Sequence, residues 1–469
     1  MIKTLRLRNF KAFQDTGEIE IKPITVLAGP NSGGKSSILQ SLLLLKQTLE
    51  TEAPDIDLDL DGKFLKFSKF NELVFGKPSL QNCDISYKIG FEVNIDTENF
   101  RERSFQNDIE FSFRHRELEG GKDRVILDRF SLLSQIQGRT SEQIPQLTIT
   151  FRNKQYYLKL CDGSDVIHES YKRLRISDIT SGYFPRDHIL WKVGRRGDLE
   201  KSEGYLLGPI FFKPLTGLGE ELKNHLKYLG PLRGKPQRVY VPSASPSFEI
   251  DQSGENAAQI LWLERDDTIQ YLPNLYQEVE ELSLLDAVSH VFKSLGVIEQ
   301  IGVKSEKSII YQILFDLTGS KSRKQVTIAD VGFGISQLLP VVLMGVRSEK
   351  SSLLLFEQPE IHLHPKLQAN LADFFLRMAL LGKRIIVETH SDHFINRLRR
   401  RIAEDPTDEL KDKISILFVH PPHDGQGATI EPLKIDRYGI IENWPPDFLP
   451  ESADEAEAIL TAGLEKRKG

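Results

Sequence analysis

The chain has 469 residues, of which 39% are hydrophobic and 27% are charged, a balance typical of a folded globular protein. Its 61 basic residues are outnumbered by 67 acidic ones, so the net charge of −6 disfavours binding nucleic acid by bulk charge and leaves only a local basic stripe. Two cysteines, Cys83 and Cys161, give no CxxC pair and no disulfide framework. Because no run of about 18 apolar residues occurs, we expect a cytoplasmic protein that has no contact with the membrane.

The N-terminal part predicts two strands, a helix and a β-rich segment. Alternating apolar residues in MIKTLRLRNF predict a first strand, and ITVLAGP at 24–30 predicts a buried strand that leads into a glycine-rich turn. From Ser36 onward, apolar residues recur with helical period and are too numerous for an exposed helix. The β-type runs that follow predict an antiparallel subdomain, and they lie near 85–95, 108–115, 125–133, 146–152 and 156–160.

The C-terminal part predicts helices and strands in alternation. After a loop-rich region over 205–254, we expect helices near 255–265 and 273–297 and a strand over 309–317. The elements that follow are a helix from 336, the strand SLLLFE, a helix over 365–381, the strand RIIVET, a helix over 393–404 and the strand ISILFV. Such alternation predicts a parallel sheet covered by helices. The tail from 436 contains NWPPDFLP and ends in a predicted short helix.

A phosphate-binding motif joins the buried strand to the first helix. Residues 29–36, GPNSGGKS, match GxxxxGK[ST] in the strand–turn–helix context that this motif requires. Its glycines let backbone N–H groups approach phosphates, Lys35 can reach the β- and γ-phosphates, and the Ser36 hydroxyl can ligate Mg²⁺. No NKxD motif is present, which disfavours a GTPase. We therefore expect ATP and Mg²⁺ as ligands, bound by Gly29, Asn31, Ser32, Gly33, Gly34, Lys35, Ser36 and Ser37.

A second group of polar residues lies far along the chain. The strand SLLLF ends at Glu357-Gln358-Pro359-Glu360, where a carboxylate at the C-terminal edge of a sheet can hold Mg²⁺. A later strand ends before His390, whose imidazole can reach a γ-phosphate or the attacking water. The segment DVGFGISQ precedes a helix whose N-terminus can again hold phosphate. Candidate catalytic residues are Glu357, Gln358, Glu360 and His390; candidate metal ligands are Ser36 and Glu357; further nucleotide-binding candidates are Gly332, Gly334 and Ser336.

In this order, the motifs resemble the SMC-, RecF- and OLD-like branch of ABC ATPases, often grouped with AAA-type proteins. The segments that carry the resemblance are LRLRNFKAF, AGPNSGGKSS, DVGFGISQLLP, LLLFEQPEIHLHP and VETHSDHFINRLRR, while YLGPLRGKP and NWPPDF resemble a subfamily with a short C-terminal domain. The resemblance covers roughly 1–50 and 225–450. It implies a head-to-head dimer or higher homo-oligomer in which the segment with Gly332 acts on the partner's nucleotide, and in which His364 and Pro365 link the two sites.

The expected fold class is α/β: an ABC-ATPase head assembled from N- and C-terminal parts, with an antiparallel β subdomain and a helical insertion. No long heptad run occurs, which excludes an SMC-like coiled-coil arm. The predicted division is an N-terminal lobe over 1–160, an insertion over 161–300, a C-terminal lobe over 301–420 and a tail domain over 421–469.

Two positions depart from the pattern of that branch. Where an Asp for Mg²⁺ and a Glu for the attacking water are usual, this chain has Glu357 and Gln358. An amide cannot act as a base, so we expect slow hydrolysis unless Glu360 or His390 takes part. Gly332 stands in the place of the usual serine, so backbone N–H groups there must bind more of the γ-phosphate. Slow turnover favours a switch over a motor.

Other residues have two interpretations each. The arginine-rich run 397–401 either contacts a nucleic-acid backbone or forms a solvated helix face. The loop that contains Arg233 and Arg238 either contacts nucleotide or a neighbouring head, or is a turn built by Gly and Pro. Asn9, Lys11 and Phe13 are candidates to flank adenine. A metal cluster is the weaker interpretation of four histidines whose positions the motifs already explain in part: His362, His364, His390 and His393.

The resemblance extends to ATPase subunits of bacterial anti-phage defence systems of the Septu and PARIS types, which sense a phage trigger and control a separate nuclease. We therefore expect an ATP-binding switch or sensor subunit. No nuclease signature occurs in the chain, so the effector is expected to be another protein. Two alternatives stay open: a RecF-like DNA-repair or chromosome-maintenance ATPase that clamps DNA directly, and a nucleotide-binding scaffold without useful hydrolysis.

Overall fold

A computed structural model gives the architecture of residues 1–51, 56–78, 83–97, 100–118, 122–136, 147–152, 155–160, 165–168, 215–241, 248–306, 310–317, 325–423 and 425–445. The strands in these ranges are β1 (Ile2–Phe10), β2 (Phe13–Asp15), β3 (Ile19–Glu20), β4 (Ile24–Ala28), β5 (Asp84–Thr97), β6 (Phe100–Leu118), β7 (Lys122–Ile136), β8 (Leu147–Arg152), β9 (Gln155–Leu160), β10 (Asp165–His168), β11 (Leu226–Leu229), β12 (Thr268–Tyr271), β13 (Glu280–Ser283), β14 (Ile298–Glu306), β15 (Ile310–Leu317), β16 (Gln325–Thr327), β17 (Leu353–Glu357), β18 (Arg384–Glu388), β19 (Ile414–His420) and β20 (Thr429–Leu433). The α-helices are α1 (Lys35–Glu50), α2 (Ala257–Glu264), α3 (Leu284–Leu295), α4 (Phe333–Arg347), α5 (Pro365–Leu380), α6 (Asp392–Glu404) and α7 (Leu410–Lys413).

The central sheet contains strands from both ends of the chain. Its six strands lie in the order β11–β17–β18–β4–β19–β20. The first five are mutually parallel, and β20 pairs antiparallel with β19 at one edge. The N-terminal strand β4 thus lies between β18 and β19, which the chain reaches more than 350 residues later. This arrangement confirms the predicted α/β class and the predicted assembly from two distant parts.

The central strands are apolar on both faces because they separate two hydrophobic cores. In β4, Ile24, Val26 and Ala28 pack into one core and Leu27 packs into the other. The same alternation recurs in β17, as expected for a strand that is covered on both sides. Helices α2 to α6 fill the first core, whereas α1 and part of an antiparallel sheet fill the second.

The second sheet is antiparallel and lies on the α1 side of the molecule. It runs in the order β10–β9–β8–β7–β6–β5–β1–β2, and β3 also pairs with β1. Aromatic residues on β5 and β6 contribute to its core: the rings of Tyr87 and Phe111 stack with centroids 5.1 Å apart. The predicted antiparallel subdomain is therefore confirmed.

The helix predicted over 273–297 is shorter than expected. Ser283 is the N-cap of α3, and its hydroxyl accepts a hydrogen bond from the backbone N–H of Asp286 at 3.1 Å. The residues before this cap form β13, which pairs with β12 so that Leu282 lies opposite Ile269. The prediction of a helix over 273–283 was wrong because the serine cap fixes the helix start and the preceding residues pair as a hairpin.

The helices in the described ranges are short. The longest helices in the described ranges, α1 and α5, have 16 residues each. No helix in those ranges combines the length and the apolar character that crossing a bilayer requires. The short helix predicted at the end of the tail and the part of the loop-rich region over 205–214 lie outside the described residues.

Candidate functional site

The loop of residues 29–36 leaves the C-terminal end of β4 and enters α1 with an unusual backbone. Gly29, Ser32 and Gly34 have φ angles of 134°, 61° and 106°. A Cβ atom on Gly29 would lie 2.5 Å from the carbonyl oxygen of Val419, so only glycine fits there. Left-handed residues interspersed with right-handed ones are typical of backbone concavities that bind anions.

Lys35 begins α1 and is enclosed by this loop. Its ammonium group donates to the carbonyl oxygens of Gly29 at 3.0 Å and of Pro30 at 2.7 Å, and the residue is only 3% exposed. Burial lowers the pKa of Lys35, and the charge of Glu388 opposes that shift. The N-cap Gly34 makes no side-chain cap and the first turn contains no acidic residue, so the positive end of α1 is left for an anion.

A cavity of about 640 Å³ opens over the loop, within the usual size range of small-molecule sites. Three lysines and two acids line it, so its charged groups sum to a positive excess that suits a polyanion. The charged lining residues are Lys11, Lys35, Lys77, Glu72 and Glu388, and the others are Ala12, Ser32, Gly33, Gly34, Ser36, Ser37, Gln40, Val74 and Gly76.

Two carboxylates lie side by side at the C-terminal edge of the central sheet. Glu357 ends β17, Glu388 ends β18, and the two are register partners. Glu357 accepts a hydrogen bond from the Tyr228 hydroxyl at 3.0 Å, and Glu388 accepts one from the Ser36 hydroxyl at 2.7 Å. Burial, together with the nearby charge of Glu388, raises the pKa of Glu357 to about 7. Burial also raises the pKa of Glu388.

Gln358 follows Glu357 in a strained conformation, with a φ angle of 43°. Its backbone N–H donates to the carbonyl oxygen of Glu388 at 2.8 Å. The guanidinium group of Arg233 donates to the carbonyl oxygens of Glu357 and Gln358 at 3.3 and 3.2 Å. Arg233 is 9% exposed and burial lowers its pKa to about 10. In this chain Arg233 therefore stabilises the turn after β17.

Glu360 connects this turn to the end of β18. Its carboxylate accepts hydrogen bonds from the Thr389 hydroxyl at 2.6 Å and from the backbone N–H of His390 at 2.8 Å. Glu360 is 7% exposed, burial raises its pKa, and its second carboxylate oxygen, Oε2, has no hydrogen-bond partner among the described residues. His390 is exposed, and partial burial of its ring lowers its pKa. Glu360 thus positions the backbone that carries His390.

Residues 332–336, at the N-terminus of α4, are not part of the lining of the cavity over residues 29–36. Gly332 is the N-cap of α4, and a Cβ atom on Gly334 would lie 2.3 Å from the carbonyl oxygen of His362. The Ser336 hydroxyl donates to the carbonyl oxygen of Phe333 at 2.7 Å, and Ser336 is 5% exposed. The most exposed residues of this segment are Gly332 and Phe333, and Phe333 is 47% exposed.

The loop from β17 to α5 ends in a proline-started helix. His364 is the N-cap of α5, its imidazole accepts from the backbone N–H of Lys366 at 3.4 Å, and Pro365 is the first helical residue. Within the part of the chain that the structure describes, no group of three or more His, Cys, Asp or Glu residues is placed to hold a metal ion. A divalent cation near the paired acids would therefore need further ligands from a bound phosphate.

Three of the four arginines in the run on α6 form ion pairs within the protein and share two acids. Asp373 on α5 accepts from Arg397 at 2.5 Å and from Arg401 at 2.7 and 2.8 Å. Arg401 and Arg400 also pair with Glu404, at 2.6 and 2.7 Å. The opposite face of α6 is apolar and buried. These contacts favour the interpretation of a helix face over that of a nucleic-acid contact.

The structure places the residues of the sequence-based site predictions in different surroundings. Six of the predicted nucleotide-binding residues line the cavity, as does Lys11: Ser32, Gly33, Gly34, Lys35, Ser36 and Ser37. Phe13 is fully buried in the second core beneath Gly34, so the expectation that it flanks adenine was wrong. Arg238 pairs with Asp330 at 2.8 Å, next to the α4 segment. Sequence reasoning missed Glu388, although its place at the end of a strand parallel to β17 was an available signal.

Comparison with known proteins adds a family to this geometry. The AAA ATPase domain family matches residues 1–176 and 248–395, which include the phosphate-binding loop, the paired acids and His390. The chain belongs to the AAA ATPase domain family. Its family match extends through residues 51–176, which the sequence motifs had left unassigned, and it omits the YLGPLRGKP segment. Among curated proteins, none matches the sequence.

Several solved structures resemble this AAA ATPase domain protein at a distance. An SMC head domain from Thermotoga maritima is 12% identical over 92% of this chain and 99% of its own, with a TM-score of 0.40. An Smc head bound to the C-terminal winged-helix domain of ScpA is 14% identical over 93% and 98%, with a TM-score of 0.42. An Smc head with an extended coiled coil, from Pyrococcus furiosus and bound to the C-terminal domain of ScpA, is 12% identical over 98% and 99%, with a TM-score of 0.37.

Proposed function

We propose that this protein binds ATP with Mg²⁺ at residues 29–37 and uses it as a nucleotide-controlled switch. The observation that carries the proposal is the glycine-rich loop that opens onto a cavity of about 640 Å³. Bound ATP with Mg²⁺ supplies a cleavable γ-phosphoryl group. The backbone of the loop and the N-terminus of α1 bind phosphates, and Lys35 exchanges its contacts with Gly29 and Pro30 for contacts with phosphate oxygens. The Ser36 hydroxyl and a carboxylate at the end of a strand hold Mg²⁺, and the sequence motif identifies this carboxylate as that of Glu357.

Hydrolysis is slow in this proposal because the residue after Glu357 is Gln358, whose amide orients water but cannot remove a proton. Glu360 holds the backbone of His390 and so supports a histidine that acts on the attacking water. The exposed position of His390 leaves its imidazole free to face a nucleotide or a second head. Slow turnover suits a protein whose output is a conformational state and not mechanical work.

The nucleotide acts between two copies of the chain in this proposal. The segment formed by Gly332, Gly334 and Ser336 is not part of the lining of the cavity over residues 29–36. Gly332 is exposed and therefore available to a partner's nucleotide, whereas the Ser336 hydroxyl would have to leave the carbonyl oxygen of Phe333 to take part. Its exposed surface, Gly332 with Phe333, offers backbone groups and an apolar ring for such a contact. His364 and Pro365 lie in the loop that we assign to communication between the two sites.

The biological role that we propose is a cytoplasmic sensor subunit of an anti-phage defence complex, which controls a separate effector such as a nuclease. Its support is the resemblance of the motif set to such ATPase subunits. Direct clamping of DNA, the RecF-like alternative, is less favoured because three of the four arginines on α6 are paired with Asp373 and Glu404.

The test is Mg-ATP hydrolysis in single-turnover and steady-state assays, with and without DNA, for the wild type, Lys35→Ala and Gln358→Glu. We expect slow turnover that Lys35→Ala abolishes and Gln358→Glu accelerates about tenfold or more, because a carboxylate replaces the amide. Tight ATP binding without hydrolysis in any variant would leave a scaffold governed by binding alone. Strong stimulation of the wild type by DNA would favour the DNA-clamping alternative.

A further inference from the structure

Glu388 contacts the phosphate-binding loop directly, whereas the acid at the Walker-B position does not. The Ser36 hydroxyl donates to Oε2 of Glu388 at 2.7 Å, Glu388 is 5% exposed, and it lines the cavity. Glu357 instead accepts from the Tyr228 hydroxyl on β11, on the side of β17 that faces away from the loop. The Mg²⁺ role that the motif assigns to Glu357 is therefore better matched in space by Glu388.

The order of the strands explains this difference. β18 lies between β17 and β4, and Glu388 is the register partner of Leu27 on β4, immediately before the loop. Neighbouring strands are about 4.8 Å apart, so the backbone of Glu357 lies roughly 10 Å from the β4 backbone and the backbone of Glu388 lies at about half that distance. A glutamate on the nearer strand reaches Ser36 without any rearrangement of the sheet.

We propose that Glu388 is the carboxylate partner of the nucleotide-bound Mg²⁺, which it shares with Ser36, and that Glu357 is a second acid held in place by Tyr228. This inference rests on the proposed binding of ATP. A serine hydroxyl that donates its hydrogen to Glu388 still has both oxygen lone pairs for a cation. Mg²⁺ in nucleotide sites commonly takes one or two carboxylates together with phosphate oxygens and water.

The charges around Glu388 fit the same assignment. The carboxylates of Glu388, which is buried, and Glu357, which is partly buried, lie on adjacent strands and repel each other, and a cation between the loop and the sheet edge relieves that repulsion. Among the residues that the structure describes, no group of three or more His, Cys, Asp or Glu side chains is placed to hold a metal ion, so the protein alone offers an incomplete coordination set. We therefore expect Mg²⁺ to bind together with the nucleotide and weakly without it.

The experiment compares Glu388→Gln with Glu357→Gln, two identical changes on adjacent strands. Calorimetry measures the affinity for a non-hydrolysable ATP analogue in Mg²⁺ and in EDTA. We expect the wild type to bind the analogue more tightly in Mg²⁺ than in EDTA. Glu388→Gln should reduce this Mg²⁺-dependent gain in affinity at least tenfold, while its affinity in EDTA is unchanged or higher. Glu357→Gln should keep most of the gain. Electron paramagnetic resonance with Mn²⁺ and the analogue should show that Glu388→Gln binds less metal than the wild type and Glu357→Gln do.

Several outcomes would overturn the assignment. A full Mg²⁺ effect in Glu388→Gln, or an equal loss of affinity in Mg²⁺ and in EDTA, would make Glu388 a structural acceptor for Ser36. Loss of the Mg²⁺ effect in Glu357→Gln alone would return the role to Glu357. If Glu388→Gln does not fold, Glu388→Asp, which keeps the charge on a shorter side chain, must still lose part of the Mg²⁺ gain. A wild type that binds no analogue in either condition would overturn the proposed function itself.

Discussion

Replacing Gly334 with alanine tests how tightly the first turn of α4 packs against the loop that follows β17. The new Cβ atom would lie 2.3 Å from the carbonyl oxygen of His362, more than 1 Å inside ordinary contact. His362 itself has a φ angle of 64°, so its backbone has little freedom to move away. Overpacking of this kind costs about 1–3 kcal/mol, and alanine recovers up to about 1 kcal/mol of helix propensity. We expect Gly334→Ala to lower the free energy of unfolding by about 1–2 kcal/mol.

Urea denaturation followed by circular dichroism provides the measurement, and Gly332→Ala is the matched control. Gly332 lies two residues away, has a φ angle of −53°, and has no atom within 4 Å of the position that its Cβ would take. Because alanine is a poorer N-cap than glycine, we expect this control to lose about 0.5–1 kcal/mol, less than Gly334→Ala loses. Equal stability of the two variants would refute the close approach between the α4 segment and His362.

Two further predictions concern charge. Because the folded pKa of Glu357 is raised to about 7, the native state holds a proton that the unfolded state releases, so this residue's stabilising contribution is lost as pH rises from about 4.5 to 7. Glu357→Gln should therefore become more stable relative to the wild type across that window, by up to about 3 kcal/mol in nucleotide-free protein, and a pH-independent difference in denaturation midpoints would contradict this. Asp373→Asn removes the acidic partner of Arg397 and one of the two acidic partners of Arg401. We therefore expect its affinity for duplex DNA in low salt to rise about threefold to tenfold in fluorescence anisotropy and the gain to shrink as salt increases. Glu409→Gln, which changes the net charge equally at an exposed pair, should leave binding near the wild-type level.

The features that the sequence predicted well are those fixed by local chemistry. The run from Ile24 to Ser36 identifies a strand, a glycine-rich turn and a helix, because each depends on residues within a few positions of it. The strands from β5 to β9 likewise followed from alternating apolar residues. The α/β class could be predicted because continuous apolar strands such as β17 imply helices on both faces.

The features that the sequence did not predict depend on distant partners. Phe13 follows the first strand as Lys11 does, yet only the packed core decides that one is buried and the other lines the cavity. Glu388 was passed over because the order of β17, β18 and β4 across the sheet is not written in their order along the chain. The four-part division of the chain and the catalytic assignments stay predictions.

The position of β4 has a consequence for how the protein is made. A ribosome completes β4 and α1 early, but both strands that flank β4 are synthesised only after residue 383. Until then the nascent chain carries a strand with two open edges and a helix whose leucines have no completed core, which is a risk for aggregation. The nucleotide site can therefore form only near the end of synthesis, and truncated chains that stop before β18 should emerge from translation as clients of chaperones without the ability to retain ATP.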